Sequence, residues 1–187
     1  MGGGDKAALD LDGATMLDRV LAAARPLCGR VVVVGPARET VVTGVRFVQE
    51  AAPGGGPVPA VGAGLDAVGP GAAVVLVLAA DLPLLAPADL GRLLDRLASD
   101  PDVDAVAAVD NQGRPNPLLA AYRVTALERA SRGPGSPAAG LLPERVATVD
   151  LGPEATLNVN SPADLEAAVG ILRSRGRPPS TRSSSPP

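Results

Sequence analysis

The chain has 187 residues, of which 46% are hydrophobic and 20% charged, with 22 Gly, 20 Pro and no histidine. That length predicts one domain with a core of its own, and the lack of histidine excludes His-dependent triads, His-ligated zinc and imidazole acid/base chemistry. A single cysteine, Cys28, leaves no intramolecular disulfide and predicts a cytosolic protein.

No apolar run reaches the ~18 residues of a membrane span, and Met1 to Lys6 lacks the basic-then-apolar order of a signal peptide. The net charge is −3, and because Arg173, Arg175, Arg177 and Arg182 lie in an acid-free C-terminal stretch, residues 1 to 172 carry −7. A mildly acidic body with two aromatics, Phe47 and Tyr122, predicts no nucleic-acid partner.

In chain order, Leu17, Val20, Leu21 and Ala24 recur at helical spacing and predict a helix from about Thr15 to Pro26, ended by Gly29. Val31 to Val34 is a β-branched run closed by Gly35-Pro36, apolar on both faces as a strand inside a parallel sheet would be. Val45 to Val48 repeats that pattern more weakly. A loop from Ala51 to Pro57 precedes a helical stripe of Val58, Val61, Leu65 and Val68. Ala72 to Ala80 is the strongest buried-strand signal and stops at Asp81. Pro87 opens a helix whose apolar face is Leu90, Leu93, Leu94 and Leu97.

Val103 to Val109, Leu118 to Tyr122, Val146 to Val149 and Thr156 to Val159 read as strands, with a helix from about Thr125 to Arg132. Ser161-Pro162-Ala163-Asp164 opens the final helix with a cap, a proline at the first helical position and an acid in the first turn. The sequence therefore predicts a domain over 1–172 and an Arg/Ser/Pro tail over 173–187 too polar to order itself. Alternating strands and helices predict an α/β fold, a Rossmann-like, mostly parallel sheet with helices on both faces. Ligands of such sheets bind beyond the carboxyl ends of the strands.

Asp81 is the first candidate for chemistry, because a carboxylate at the mouth of a central strand can hold a hard cation together with substrate phosphates. A helix-capping role fits poorly, since a cap for the following helix belongs next to Pro87. Gly2-Gly3-Gly4-Asp5-Lys6 could bring backbone amides and an ammonium to a phosphate. It lacks the Gly-Lys-Ser/Thr of a Walker loop, and on its own reads first as a flexible terminus with a solvated lysine. Gly54-Gly55-Gly56-Pro57 at a helix start suits an anion or a plain loop equally. Asn158 and Asn160 point the same way on an extended segment. Cys28 reads as a small buried hydrophobe, Arg114, Asn116 and Tyr122 as part of a Pro-rich connection, and Asp10 and Asp12 as turn acids.

Met1-Gly2-Gly3-Gly4-Asp5-Lys6, Gly54-Gly55-Gly56-Pro57, Asp81-Leu82-Pro83, Pro115-Asn116-Pro117-Leu118 and Asn158-Val159-Asn160-Ser161-Pro162 together resemble, in order and spacing, the nucleotidyltransferases of the molybdenum cofactor guanylyltransferase type, over about residues 1 to 170. The resemblance implies transfer of GMP from GTP to the phosphate of molybdopterin, with magnesium and release of pyrophosphate. It implies that Lys6 neutralises the triphosphate and that Asp81 binds magnesium and the nucleotide. Gly2, Gly3, Gly55 and Gly56 would line the nucleotide loops, Glu50 would contact the nucleotide, and Asn158 and Asn160 would face the acceptor and metal side. A phosphate nucleophile is already ionised at neutral pH, so this chemistry needs no histidine.

The family pattern opens with a strand and Leu-Ala-Gly-Gly-x-Ser-x-Arg ahead of Met-Gly, whereas this sequence opens at that Met. The expectation is a start set at an internal Met, with a central strand and most of the phosphate loop lying ahead of it. A CTP-dependent or sugar-phosphate transferase is the rival within the class, and a non-catalytic remnant is the rival outside it.

Overall fold

A computed structural model describes residues 6–51, 54–131 and 137–175. A 3-10 turn at Lys6–Ala8 leads into a small hairpin of β1 (Asp10–Leu11) and β2 (Ala14–Thr15), closed by Asp12 and Gly13 at φ 53° and 86°. Glycine accepts that left-handed backbone without a Cβ clash, and a short Asp tolerates it. Thr15 then caps α1 (Met16–Ala24), its hydroxyl accepting the Asp18 amide at 3.0 Å.

Two strands follow, β3 (Val31–Val34) and β4 (Val45–Val48), paired in parallel with Val31 opposite Val45. Helix α2 (Pro57–Val68) crosses to β5 (Val74–Leu78), and α3 (Pro87–Ser99) to β6 (Ala105–Val109). β7 (Pro115–Arg123) returns beside β6, and α4 (Val124–Ser131), β8 (Val146–Val149) and α5 (Pro162–Arg175) complete the order. The main sheet runs β5-β7-β6-β8.

Period-two alternation divides this sheet between two apolar layers. Val106 and Ala108 of β6, with Leu119 and Ala121 of β7, pack with Val20 and Ala24 of α1 and Leu90, Leu93 and Leu97 of α3. Ala105, Ala107, Ala120 and Tyr122 face the other way, onto Val58 of α2 and Leu127 of α4. Two sequence-predicted helices thus supply opposite layers, α1 on one face and α2 on the other.

The α/β class holds, and the direction of one strand does not. β7 runs antiparallel to both β5 and β6, and in the main sheet only β6 and β8 pair in parallel. The short connection Asp110 to Arg114 between β6 and β7 explains this, since a parallel return needs a long crossover. Thr156 to Val159 forms no strand: Thr156 ends a turn, and Leu157 to Val159 have no regular secondary structure. α5 also continues to Arg175, beyond the point where the sequence predicts a disordered tail, because Arg173 and Arg175 find partners in the fold. Residues 176–187 lie outside the described part.

β3 and β5 both have strand composition suited to a sheet interior, Val-Val-Val-Val and Val-Val-Leu-Val-Leu, yet no residue of either is fully buried. Among the described residues β3 pairs only with β4 and β5 only with β7. Between their free edges lies an apolar slot of about 660 Å3, lined by Leu17, Val20 and Leu21 of α1, Val61 and Leu65 of α2, and the two strands. Neither edge carries the charge or proline that normally protects an exposed strand.

Candidate functional site

β7 runs antiparallel to both β5 and β6, and β6 pairs with β8 in parallel, so the carboxyl ends of β5, β6 and β8 share one edge of the main sheet. Asp81 lies there, half-buried, three residues beyond β5. Its carbonyl accepts the Val159 amide at 3.0 Å, which seats the Asn158–Asn160 segment on it.

Val159 is fully buried while Asn158 and Asn160 on either side are exposed, so both amide side chains leave the core. Helix α5 fixes that segment. The Asp164 carboxylate accepts the amides of Asn160 at 3.0 Å and Ser161 at 2.7 Å, and the Ser161 hydroxyl returns the favour to the Asp164 amide at 3.2 Å.

A third layer of core gathers the same segments. Leu11 and Met16, just after the Lys6 turn, pack with Leu84, just after Asp81, and with Val159 and Ala168. The sequence-predicted Lys6, Asp81, Asn158 and Asn160 thus sit on segments that meet. Gly2 and Gly3 lie outside the described residues.

Glu50, Gly55 and Gly56 form a second group, on the β4 side of the slot. Gly54 and Gly56 hold φ 86° and 89°, and Gly56 opens α2 without a side-chain cap, ahead of Pro57 and Pro59, which have no amide hydrogen to cap. The Glu50 carboxylate accepts the Gly54 amide at 3.3 Å, so Glu50 orders this glycine turn.

The same sheet edge carries two carboxylates that sequence reasoning passed over. Asp110 follows β6 and accepts the Gln112 and Arg114 amides at 2.8 and 2.9 Å besides pairing with the Arg114 guanidinium at 2.9 Å. Led by the backbone bond from Arg114, these contacts hold its carboxyl below the usual range. Asp150 follows β8 and accepts the Gly152 amide at 2.8 Å. Both acids shape turns. Asn116 accepts the Leu118 amide at 2.9 Å, and the buried Tyr122 donates to the Pro117 carbonyl at 2.8 Å, its phenol pushed up by burial. Cys28 is half-buried, and burial raises its thiol.

Asp18 is the other residue the sequence reading missed. It is buried in α1, and its carboxylate accepts from the Thr15 hydroxyl at 2.8 Å, the Thr40 hydroxyl at 2.5 Å and the Val41 amide at 3.2 Å, tying the loop after β3 to the helix. Burial opposes its ionisation, but these hydrogen bonds outweigh it and hold the carboxyl below its usual value. The signal was a lone acid on the apolar side of a helix.

Among the described residues no three acidic, cysteine or histidine side chains cluster closely enough to hold a metal alone. A hard cation at Asp81 would take one carboxylate, amide oxygens of Asn158 or Asn160 and substrate phosphates, a set that suits magnesium, which keeps few protein ligands. No helix among the described residues is long and apolar enough to cross a membrane.

An α/β sheet with a carboxylate just beyond β5, an asparagine-bearing segment seated on that loop and a glycine-opened α2 suits a nucleotidyltransferase-type domain. Solved structures share the fold: molybdopterin-guanine dinucleotide biosynthesis protein A from Archaeoglobus fulgidus aligns with TM-score 0.66 at 24% identity, covering 92% of each chain. The 2-C-methyl-D-erythritol 4-phosphate cytidylyltransferase from Thermus thermophilus aligns with TM-score 0.69 at 24% identity, over 91% of this chain and 95% of its own.

Residues 1–144 match the family model of the MobA-like NTP transferase domain, and the chain belongs to that family. It is 35% identical over 189 aligned positions to a protein of Chloroflexus aggregans named "Probable molybdenum cofactor guanylyltransferase", spanning 91% of this chain and 88% of that protein. A Mycobacterium avium protein of the same name is 32% identical over 174 positions, spanning 88% and 87%.

Proposed function

We propose that the chain transfers GMP from GTP to the terminal phosphate of molybdopterin and releases pyrophosphate. The observation that carries this reading is the Val159–Asp81 main-chain bond, which seats the segment bearing the Asn pair on the Asp81 loop beyond β5. The names of the two relatives support the nucleotide and the acceptor.

In this reading an acceptor phosphate oxygen attacks the α-phosphorus of GTP, forming a new P–O bond as the bond to the bridging β-phosphate oxygen breaks. The electron pair leaves on pyrophosphate. No proton need be removed from the attacking group, which is consistent with a chain that has no histidine. The task left to the protein is alignment and charge neutralisation.

Lys6 and the amides of Gly2 and Gly3 would meet the β- and γ-phosphates. Asp81, with Asn158 and Asn160, would hold magnesium, which when bound neutralises charge on the phosphates. The exposed Gly55 and Gly56 would face the nucleotide, with Glu50 keeping their turn in place.

Thermal-shift measurements with GTP, CTP, ATP and UTP plus magnesium, paired with pyrophosphate release on adding molybdopterin, test the proposal. The largest shift and turnover are expected with GTP. A larger shift with CTP would replace GTP by CTP, and no shift with any nucleotide would leave the fold without catalysis.

A further inference from the structure

We propose that Arg175, in the last turn of α5, is a positioning residue that sets the Asp81 loop against the Asn158–Asn160 segment. The inference rests on the proposed site and adds to it a residue at the far end of the chain from the glycine run.

The guanidinium of Arg175 donates to the Leu84 carbonyl at 3.1 Å and to the Glu154 carboxylate at 2.7 Å. Leu84 lies three residues beyond Asp81, and Glu154 four residues ahead of Asn158. One planar donor group therefore spans the two loops that hold the candidate metal and acceptor residues, a task its fixed fork of N–H groups suits.

The other end of α5 holds the same segment, through Asp164 and the amides of Asn160 and Ser161. Two residues before Arg175, Arg173 reaches Asp12 at 3.4 Å, on the hairpin that follows Lys6. α5 thus ties down all three segments that carry Lys6, Asp81 and the Asn pair, and Ala168 at its middle packs with Leu84 and Val159 underneath.

The Arg175–Glu154 pair is about half exposed on both sides, 43% and 53%. Exposed ion pairs add little to stability, and the apolar layer below remains when the pair is cut. Removing Arg175 should therefore disturb relative placement far more than folding.

The test compares Arg175→Ala and Arg175→Lys with the parent, each made in the 187-residue chain and in the same chain with an amino-terminal apolar extension. Melting, hydrogen exchange at the Val159 amide, affinity for a fluorescent GTP analogue and steady-state turnover are measured. Arg175→Ala should melt within about 3 °C of the parent, exchange its Val159 amide at least ~10-fold faster and lose at least ~10-fold in kcat/KM, the equivalent of one positioning contact. Lysine, which can keep one of the two contacts, should recover part of both.

Unchanged Val159 exchange in Arg175→Ala overturns the proposal whether or not the chain is active. So does a melt lowered by much more than this with kcat/KM intact at a permissive temperature. Faster exchange in a parent that binds no nucleotide keeps the positioning role and overturns the proposed function instead.

Discussion

Val159 donates its backbone amide to the carbonyl of Asp81 at 3.0 Å, across 78 residues of sequence. The bond joins a fully buried apolar residue to a half-buried acid, so the carboxylate and the two asparagines flanking Val159 keep a fixed relation that neither loop could hold alone. An amide–carbonyl bond adds about 1 kcal/mol net, and its larger effect is geometric.

Replacing Asp81 by Asn removes the charge at this point without changing volume. Turnover in the chain carrying an amino-terminal extension should fall at least ~100-fold, as loss of a metal-binding carboxylate implies, while circular dichroism and the Val159–Asp81 main-chain contact stay as they are. Pyrophosphate release and melting are followed together. Activity within a few-fold of the parent would take Asp81 out of the metal site.

Gly56 holds φ 89° and ψ −174° at the start of α2, a region that other residues reach only under strain of about 1 to 3 kcal/mol. Gly56→Ala should therefore lower the melting temperature and weaken the GTP-dependent shift together, because the glycine turn ahead of α2 loses its shape. Gly55→Ala, at a residue without positive φ, serves as the control. Equal effects of the two substitutions would mean that the backbone angle at Gly56 is not what the nucleotide side depends on.

Helix positions were legible because their apolar residues recur at 3.6-residue spacing and their starts carry local marks, as at Thr15, Pro87 and Ser161. Asp81 was legible for a related reason: nine apolar residues in a row followed by an acid mark a strand mouth. The direction of β7 was not, since composition does not encode which way a strand runs. Thr156 to Val159 has strand composition and no strand beside it, and pairing is a property of the partner. Asp18 and Arg175 act through Thr40, Leu84 and Glu154, contacts distant in sequence that no local pattern announces.

Asp18 gives the fold a pH dependence whose sign follows from its shift. Its carboxyl is held below the usual 3.8 in the folded chain, so the folded state binds that proton less readily than the unfolded one. The stabilisation is present above 3.8 and is lost as pH falls through the lower folded value. Asp18→Asn should cost about 2 kcal/mol at pH 7, the scale of hydrogen bonds to a charged group. The gap from the parent should close in melts taken at progressively lower pH. A gap that stays constant through the acid range would assign the loss to packing of the Thr40 loop and not to the carboxylate charge.

The apolar slot between β3 and β5 bears on the strand that sequence analysis expects ahead of Met1. Four residues of β3 and five of β5 present one free edge each, and α1 and α2 cover the slot from opposite faces. A strand placed there would have apolar neighbours on both sides, so its own residues would be apolar at every position. Unmet buried amides and carbonyls cost about 1 to 3 kcal/mol each, against about 5 to 15 kcal/mol for a whole domain. Residues 1–187 alone should therefore melt broadly. Joining a five-residue Val/Ile/Leu extension through a short Gly/Ser linker to Met1 should sharpen the transition, raise it and slow exchange of amides in β3 and β5. A matched extension with proline at alternate positions stays apolar but cannot donate along the ladder, and it should fail. A sharp melt of the unextended chain that rises with GTP and magnesium would show that the two sheets stand without an intervening strand.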